Sequence, residues 1–278
     1  MALDPDFLLA SAPTETRQQL TPEAVILYAL GVGASELPFV YEDGLKALPT
    51  IPVVLAYPGF VWQRPEYGVD WRRVLHGETS VELHAPLPVS GEVIGRSKFG
   101  PIFDKGADKG AIVYTTRTIH TADGVHVATV RNASFLRGDG GFGGTAEGQP
   151  RPHAIPDRPA DLEHSIATAD NQALIYRLSG DFNPLHADPA VAEAAGFPRP
   201  ILHGLATFGV AGRAVIAALC GNEPERLKRI DVRFSSPVFP GETIRTEIWH
   251  EGEGRAAFRA RVVERDVIVL NNGYVEFA

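Results

Sequence analysis

The sequence has one cysteine, no long apolar run and no excess of basic residues, and each shortage excludes a class of protein. Cys220 alone cannot form an intramolecular disulfide or a multi-cysteine metal site, and its apolar, helical surroundings predict a small core residue rather than a reactive thiol. No stretch approaches the roughly 18 apolar residues of a membrane helix. The formal net charge of -8 offers no long-range attraction for nucleic acid or an anionic membrane. We therefore expect neither among the partners.

Neither end of the chain carries a recognisable targeting signal. The first residues, MALDPDFLLA, lack the basic flank of a secretory signal, and the final residues, VEFA, differ from the peroxisomal ending SKL. These observations predict a cytoplasmic protein.

The two halves of the chain resemble each other at an offset of about 150 residues. EAVILYALGVGA, which begins at Glu23, aligns with NQALIYRLSGDF, which begins at Asn171. Each half then has a proline-containing apolar segment, a Pro and Gly turn, and alternating β-rich segments such as AIVYTTRTI and AAFRARVV. The 278 residues are long enough for two domains of ordinary size.

A segment crowded with glycine and proline separates the halves. Because these residues disfavour the interior of helices and strands, we interpret 138–159 as a linker, although its GGFGG could also form an ordered loop over a ligand. The predicted domains are therefore a first repeat, 1–137, and a second repeat, 160–278.

Helix signals are clearest in the second half. Asp188 and Pro189 predict the start of a short helix that stops at Gly196. A longer helix is expected from Gly204 to a stop at Gly221, and it must be buried because small and apolar residues surround most of its circumference. Such a helix followed by antiparallel strands predicts an α+β fold in which a sheet wraps a central helix. Two such sheets could pair edge to edge.

The first half has a weaker counterpart of this arrangement. A helix start at Thr21, Pro22 and Glu23 is well marked, since Thr is a good cap and Glu suits the positive end of a helix. The later apolar run is interrupted by Pro52 and Pro58. We therefore expect a less regular central segment in this half.

A cluster of polar residues lies in the second half, within SGDFNPLHAD. It contains Asp181, Asn183, His186 and Asp188. One interpretation is a simple turn, because Asp and Asn bond to nearby backbone while Gly and Pro set its dihedral angles. The aligned stretch of the first half, GVGASELPF, has Gly33 opposite Asp181 and Pro38 opposite His186. Since the same element is built there without polar residues, the contrast favours chemistry in the second half.

Carboxylate and imidazole five positions apart can converge on one water, so that one of them accepts its proton. Gly204 would supply a backbone N–H with no intrahelical partner at the positive end of the long helix, where an oxyanion could bind. Asn183 would orient the carboxylate or the water, or merely close the turn. We favour a structural role for His203 over a catalytic or metal-binding one. A metal site is possible in residue type, but no recognised ligand spacing is present.

YRLSGDFNPLH followed by AGFPRPILHGLATFG resembles the 2-enoyl-CoA hydratase 2 signature of the MaoC-like dehydratase family. The first half is similar to the N-terminal part of the same two-repeat enzymes in YALGVGA, LPT, LHGE, HAPLP, DKG and RGDGGFGG. The resemblance covers nearly the whole chain and implies a double hot-dog fold. It also implies an (R)-specific enoyl-CoA hydratase that acts on an acyl-CoA thioester in fatty acid metabolism, without a metal or redox cofactor.

Residue roles follow from the same resemblance. It places the catalytic pair on Asp181 and His186, with Asn183 as the supporting amide and Gly204 as the oxyanion glycine. Arg177 and Glu42 match positions used near the site, although each could be a plain surface residue. Arg199, Lys105 and Lys109 are candidates for the phosphates of coenzyme A. The degenerate first half would hold the acyl tail, and a homodimer is plausible.

Two other functions remain open at this stage. One is another thioester reaction on the same fold, such as dehydration of an acyl-carrier-protein substrate or thioester hydrolysis. The other is a non-catalytic module that binds acyl-CoA, against which the intact set of Asp181, Asn183, His186 and Gly204 argues.

Overall fold

The computed structural model describes residues 3–278, so the first two residues of the predicted repeat 1–137 lie outside it. The α-helices in this range are α1 (Pro5–Ala10), α2 (Pro22–Gly31), α3 (Leu37–Val40), α4 (Gln172–Tyr176), α5 (Pro189–Ala194) and α6 (Gly204–Cys220). The strands are β1 (Thr14–Leu20), β2 (Val74–Leu83), β3 (Gly91–Asp104), β4 (Ala111–Thr121), β5 (His126–Leu136), β6 (Leu162–Ala167), β7 (Leu227–Phe234), β8 (Thr243–His250), β9 (Arg255–Val262) and β10 (Val267–Phe277). The mixture of helices and strands confirms the α+β prediction.

All ten strands form one antiparallel sheet in the order β1-β3-β4-β5-β2-β7-β10-β9-β8-β6. Five strands of the first half run β1-β3-β4-β5-β2 from the edge to the centre, and the second half repeats this order as β6-β8-β9-β10-β7. The two halves join where β2 pairs with β7, from Glu78 opposite Arg233 to Glu82 opposite Arg229. Both the repeat and the edge-to-edge pairing of its sheets are therefore confirmed.

Helix α6 is the centre of the second half. It packs against β6, β7, β8 and β10, and most of its residues are buried, as an apolar circumference requires. Gly221 ends it in the left-handed conformation with φ of 63°, where a side chain would be strained. The prediction of a buried helix from Gly204 to a stop at Gly221 is confirmed.

The first half approaches α6 closely at two glycines of the helix. A Cβ atom on Gly209 would lie 2.4 Å from Val32 Cγ1, and one on Gly212 would lie 2.5 Å from Thr50 Cγ2. Side chains at these positions would separate the repeats, so the small residues of α6 serve the contact between them.

The first half lacks a long central helix. Thr21 caps α2 by accepting a hydrogen bond from the Ala24 N–H at 3.3 Å, as predicted. The later apolar run contains only a short 3-10 turn, Ile51–Val53, since Pro52 and Pro58 do not permit a continuous helix.

Residues 138–159 contain no helix or strand. Their GGFGG segment is an ordered loop folded around Asp104, whose carboxylate accepts hydrogen bonds from the N–H groups of Gly141 at 2.7 Å, Gly143 at 2.8 Å and Gly144 at 3.2 Å. The N–H groups of this loop thus bind the Asp104 carboxylate of the same chain.

Cys220 is fully buried at the end of α6, and burial raises the pKa of its thiol to about 11. The prediction of a core residue is confirmed. Within residues 3–278, none of the helices has both the length and the apolar character that crossing a bilayer would require.

Candidate active site

Residues 177–188 connect α4 to α5 and contain two 3-10 turns, Arg177–Ser179 and Pro184–His186. Gly180 permits the chain to turn after α4 because its φ is 115°. The Asn183 side chain then accepts a hydrogen bond from the Leu185 N–H at 3.1 Å, and Asp188 caps α5 by accepting one from the Ala190 N–H at 2.8 Å. The turn chemistry expected of these residues is therefore present, and it fixes the backbone that carries the polar cluster.

Three polar side chains meet at the end of this loop. Ligand atoms of Asp181, His186 and His203 all lie within 4.8 Å of one another. The rings of His186 and His203 stack with 3.7 Å between centroids and 26° between planes. The fold thus brings His203, which directly precedes α6, against the predicted catalytic pair.

The position of the His186 proton follows from one hydrogen bond. Its Nδ1 lies 2.9 Å from the Ile201 carbonyl oxygen. Because a carbonyl only accepts, Nδ1 of the neutral ring carries the proton and Nε2 carries a lone pair. Burial lowers the pKa of His186, while the Ile201 carbonyl and the Asp181 carboxylate act in the opposite direction. His186 is therefore a neutral imidazole whose Nε2 can accept a proton.

His203 is almost completely buried, with 1% of its surface exposed. Its Nε2 donates a hydrogen bond to the Asp181 carbonyl oxygen at 3.2 Å, and its buried Nδ1 has no hydrogen-bond partner among residues 3–278. Burial first and the neighbouring His186 second lower the pKa of His203 to about 4. This neutral ring supports the His186 ring and the Asp181 backbone, in agreement with the structural role that the sequence favours.

Asp181 is half-buried, whereas Asn183 is exposed. The Asn183 N–H donates to the Asp181 carboxylate at 3.2 Å, so this contact comes from the backbone of Asn183 and not from its amide. The amide is engaged in closing the turn, and a catalytic role for it stays a prediction.

Gly204 is the first residue of α6, and a helix offers no partner for the N–H of its first residue. The residue is exposed, and a Cβ atom there would lie 3.3 Å from two ring carbons of Phe234. Glycine therefore avoids a crowded contact with the Phe234 ring at the start of α6. The role of its N–H as an oxyanion donor stays a prediction.

The three predicted substrate-binding residues, Arg177, Arg199 and Glu42, differ in their contacts. The Arg177 guanidinium lies 5.0 Å from the Phe182 ring centroid, and its charge contributes to lowering the pKa of His203. Arg199 is exposed and donates to the Pro240 carbonyl at 2.9 Å. Glu42 is exposed, and no hydrogen bond within residues 3–278 joins its side chain to the cluster. Their roles in substrate binding stay predictions.

Two residues of the first half lie near Asp181, and the sequence did not single them out. Burial first and the Asp181 carboxylate second raise the pKa of Tyr57. For His76, burial is the largest effect and lowers the pKa, while the Asp181 carboxylate acts to raise it. Both side chains are exposed. Residues of both repeats therefore lie at the polar cluster, and we call the region between Asp181, Tyr57 and His76 the crevice.

The segment that carries Tyr57 is held firmly. The buried Arg117 donates hydrogen bonds to the carbonyls of Pro52 and Val53 at 2.9 and 2.7 Å. Ala56 adopts a positive φ of 44°, unusual for a residue with a side chain, and its N–H donates to the Gln18 side chain at 2.7 Å. This local arrangement has no signal in the sequence that would have placed Tyr57 at the crevice.

The first half has a different structure at the position that aligns with Asp181. A Cβ atom on Gly33 would lie 3.3 Å from Gln172 Oε1 and 3.5 Å from an Arg213 guanidinium nitrogen. Arg213 is buried and donates to Glu36 at 2.9 Å. At Gly33 the first repeat therefore packs against the second repeat, and it has no carboxylate at this position.

A metal ion is the alternative occupant of the cluster. Asp181, His186 and His203 offer ligand atoms within reach of one ion. However, the two rings are stacked nearly parallel, and lone pairs in nearly parallel planes do not converge well on one point. The geometry suits a water held by Asp181 and His186 better than a metal.

Two cavities of about 620 and 390 Å³ lie elsewhere on the molecule. The first borders Gly138–Phe142, and the second borders the far end of β2 near Leu83. Neither is lined by Asp181 or His186. The binding of an acyl tail by the first half therefore stays a prediction.

Comparison with known proteins gives consistent results for both halves. Residues 19–138 match the MFE-2 hydratase 2 N-terminal domain, and residues 152–273 match the MaoC like domain. The 3-hydroxyacyl-thioester dehydratase Y of Mycobacterium tuberculosis is 42% identical, over 100% of this chain and 99% of its own. The peroxisomal enoyl-CoA hydratase 2 of Arabidopsis thaliana is 38% identical, over 98% of this chain and 94% of its own.

The fold also agrees with solved structures. The crystal structure of a MaoC-like dehydratase from Phytophthora capsici superposes with a TM-score of 0.90 at 38% identity and covers 99% of both chains. The predicted double hot-dog fold is confirmed. The chain belongs to the enoyl-CoA hydratase 2 family of MaoC-like dehydratases.

Proposed function

We propose that this enzyme adds water to trans-2-enoyl-CoA and forms (3R)-hydroxyacyl-CoA, a reversible step of fatty acid metabolism. The observation that carries the proposal is the neutral His186 with its free Nε2 lone pair, beside the Asp181 carboxyl group and close to the start of α6. This arrangement offers a base, an acid and an oxyanion donor on one face of a substrate.

The proposed reaction uses one water. In the reactive form of the pair, His186 is neutral and the Asp181 carboxyl group carries one proton. His186 Nε2 accepts a proton from the water as its oxygen bonds to C3, and Asp181 delivers its own proton to C2 from the same face. The negative charge that builds on the thioester oxygen is stabilised by the Gly204 N–H and the positive end of α6. Return of the proton from His186 to Asp181 then restores the pair.

We propose one such site per chain, in the second repeat. Gly33 occupies the aligned position of the first repeat, and the neighbouring Arg213 and Gln172 fill the space around it. The first repeat then binds parts of the substrate that do not react. Its acyl-tail role, a cytoplasmic location and a homodimer also stay predictions.

The direct test is mixing purified protein with crotonyl-CoA and with longer trans-2-enoyl-CoAs. Absorbance of the conjugated enoyl thioester should fall as water adds, and no fall at any chain length would contradict the proposal. The stereochemistry is tested with an (S)-specific 3-hydroxyacyl-CoA dehydrogenase. It should leave the product unchanged, and its rapid oxidation of the product would contradict the (3R) assignment.

We further propose that the reaction needs no metal. The test is activity after exhaustive dialysis against a chelator, which should leave kcat unchanged. Loss of activity that Zn²⁺ restores would instead assign Asp181, His186 and His203 to a metal.

The relative named 3-hydroxyacyl-thioester dehydratase supports a second candidate, in which the enzyme runs mainly towards dehydration and accepts other thioester carriers. Comparing crotonyl-CoA with a crotonyl acyl-carrier protein, in both directions, separates the two. Release of free thiol from either would indicate thioester hydrolysis. Tight binding without turnover would indicate an acyl-CoA binding module.

A further inference from the structure

The smaller cavity, of about 390 Å³, lies at the end of the β2–β7 pairing that is remote from the catalytic pair. Because the two strands are antiparallel, the start of each lies beside the end of the other. His76 and Phe234 mark the end near Asp181, where their ring centroids are 4.8 Å apart. Leu83 and Leu227 mark the other end, and both line the cavity.

The internal repeat relates these two ends. When the turns APLPVSG and SPVFPG are aligned from their first residues, Leu83 takes the position of Phe234. Leu227 takes the position of His76 in the same alignment. Pro49, which lies shortly before the 3-10 turn that occupies the place of α6 in the first half, also lines the cavity. The cavity therefore lies where the repeat places the counterpart of the crevice.

Aliphatic side chains form much of the cavity wall. Four of them pack against the main core but remain half-buried, and each borders the cavity: Leu45, Leu83, Leu87 and Val89. An alkyl chain placed against these side chains is removed from water, which is favourable. A volume of about 390 Å³ lies within the range of small-molecule sites, roughly 300 to 1,000 Å³.

One charged pair connects the two repeats at this cavity. Lys46 Nζ of the first repeat lies 3.7 Å from a Glu225 carboxylate oxygen of the second repeat, and it also contacts Glu223. Lys46 and Glu225 line the cavity, whereas Glu223 does not. The charge of Lys46 is therefore already balanced by carboxylates of the protein.

A second lysine of the wall is available to a ligand. Lys228 is exposed on β7, and within residues 3–278 its ammonium group forms no salt bridge. Its Nζ donates one hydrogen bond, to the Glu225 carbonyl oxygen at 2.7 Å, so two of its three N–H donors remain free. His84 also lines the cavity, but burial first and His126 second lower its pKa, so it adds no charge at pH 7.

This combination of an apolar wall and one available cation selects the class of ligand. A polyanion, such as the phosphates of coenzyme A, would find a single free cation and the carboxylate of Glu225. An uncharged alkyl compound would leave Lys228 without a partner. An alkyl chain that ends in one negative charge satisfies both parts of the wall.

We propose that this cavity is a second, non-catalytic ligand site that binds a free medium-chain fatty acid. Lys228 Nζ binds the carboxylate, and the alkyl chain lies against Leu45, Leu83 and Leu87. The site occupies the place of the active site that the first repeat lacks. Because its wall comes from both repeats, the bound fatty acid stabilises their association. This binding is independent of the proposed hydration.

Equilibrium dialysis with radiolabelled decanoate tests the site. A saturating amount of decenoyl-CoA, in equilibrium with its hydration product, keeps the active site and its acyl-tail path filled. One decanoate per chain should still bind. Complete displacement of decanoate by the thioester, or no binding at all, would overturn the inference, because decanoate would then have no site of its own.

Lys228→Met tests the contact with the carboxylate. It should weaken decanoate binding by roughly three- to fivefold, as expected of an exposed ion pair, and should leave the binding of decanol unchanged. Lys228→Arg should restore the affinity for decanoate. Lys98→Met is the matched control, because Lys98 is exposed on β3 and does not line the cavity. Equal decanoate affinity in Lys228→Met and Lys98→Met would contradict the assignment of Lys228.

Leu87→Gln tests the apolar wall. Because Leu87 is half-buried beside the cavity, the polar side chain should weaken the binding of decanoate and of decanol alike. In both Lys228→Met and Leu87→Gln, kcat for crotonyl-CoA should equal the native value, which also shows that the variants are folded. Decanoate should raise the melting temperature of the native protein more than that of either variant, because it binds the folded form. An equal rise in all three proteins would place decanoate elsewhere and overturn the inference.

Discussion

The imidazole rings of His186 and His203 stack face to face at 3.7 Å. Two protonated rings at that distance would repel each other strongly, and both side chains are buried, which disfavours their charged forms. Each ring also donates one N–H to a backbone carbonyl, of Ile201 and of Asp181 respectively. Stacking and hydrogen bonds therefore hold both rings neutral with known tautomers.

The first prediction concerns the pH dependence of activity. If His186 accepts the proton of water, only its neutral form is active, so kcat/KM falls when pH drops through its pKa. Because burial lowers that pKa, the midpoint of the fall should lie below the ordinary value of about 6.5. The measurement is kcat/KM for S-crotonyl-N-acetylcysteamine, a substrate without titrating phosphates, from pH 5 to 8. A midpoint above 6.5 would contradict the role.

The second prediction concerns the catalytic pair. Asp181→Asn and His186→Gln should each lower kcat for crotonyl-CoA by roughly a hundredfold or more, because each removes an acid or base. Asp188→Asn is the matched control in the same loop: Asp188 is exposed and caps α5, and Asn caps as well as Asp. Its kcat should stay within about twofold of the native value. Near-normal turnover in Asp181→Asn or His186→Gln would remove that residue from the mechanism.

Much of this site could be predicted because its determinants are local. Asp181 and His186 stand in one loop, and the caps and glycines around them mark where α5 and α6 begin. The burial of α6, which follows from its apolar circumference, and the repeat of the two halves could likewise be predicted from the sequence. These features depend on residues close in sequence or on the aligned copy in the other half.

The rest of the site depends on long-range pairing. His76 reaches the crevice only because β2 pairs with β7 and bulges beyond Glu78, and Tyr57 does so because Arg117 holds the Pro52 and Val53 carbonyls. The motif LHGE is part of the family resemblance. However, its sequence does not indicate that β2, which contains it, pairs with β7 of the other repeat.

The third prediction tests the oxyanion role of Gly204. Proline is well tolerated at the first position of a helix, and His203 has φ of -58° and ψ of 137°, which a residue before proline can adopt. Gly204→Pro should therefore keep α6 and remove only the N–H, lowering kcat by roughly a hundredfold or more. Circular dichroism should confirm that the helix content is kept.

Gly204→Ala is the control for this variant, because its Cβ atom crowds Phe234 as proline does but the N–H remains. The alanine variant should lose less activity than the proline variant. Equal losses in the two would show that crowding, and not the N–H, accounts for the effect.

The fourth prediction concerns stability and a second group of histidines, on the first repeat. His126 lies between His84 and His120, with ring centroids 4.1 and 4.7 Å away. Burial first and His126 second lower the pKa of both His84 and His120. Arg131 near His84 and Arg96 near His120 act in the same direction, and Glu82 opposes the effect at His84.

A lowered pKa in the folded state has a definite sign for stability. Below the ordinary histidine pKa of about 6.5, the unfolded chain binds protons more readily than the folded protein, so the free energy of unfolding decreases as pH falls. The melting temperature should therefore drop between pH 7 and pH 5. In His120→Phe, which keeps a ring against His126 and carries no charge, the drop should be smaller.

His164→Gln is the control for the stability experiment. His164 lies on the edge strand β6, and within residues 3–278 its ring stacks on no other aromatic ring. Its replacement should leave the drop in melting temperature between pH 7 and pH 5 unchanged. If His120→Phe retains the full drop, the acid sensitivity arises elsewhere, and His186 and His203, whose pKa values burial also lowers, become the groups to vary next.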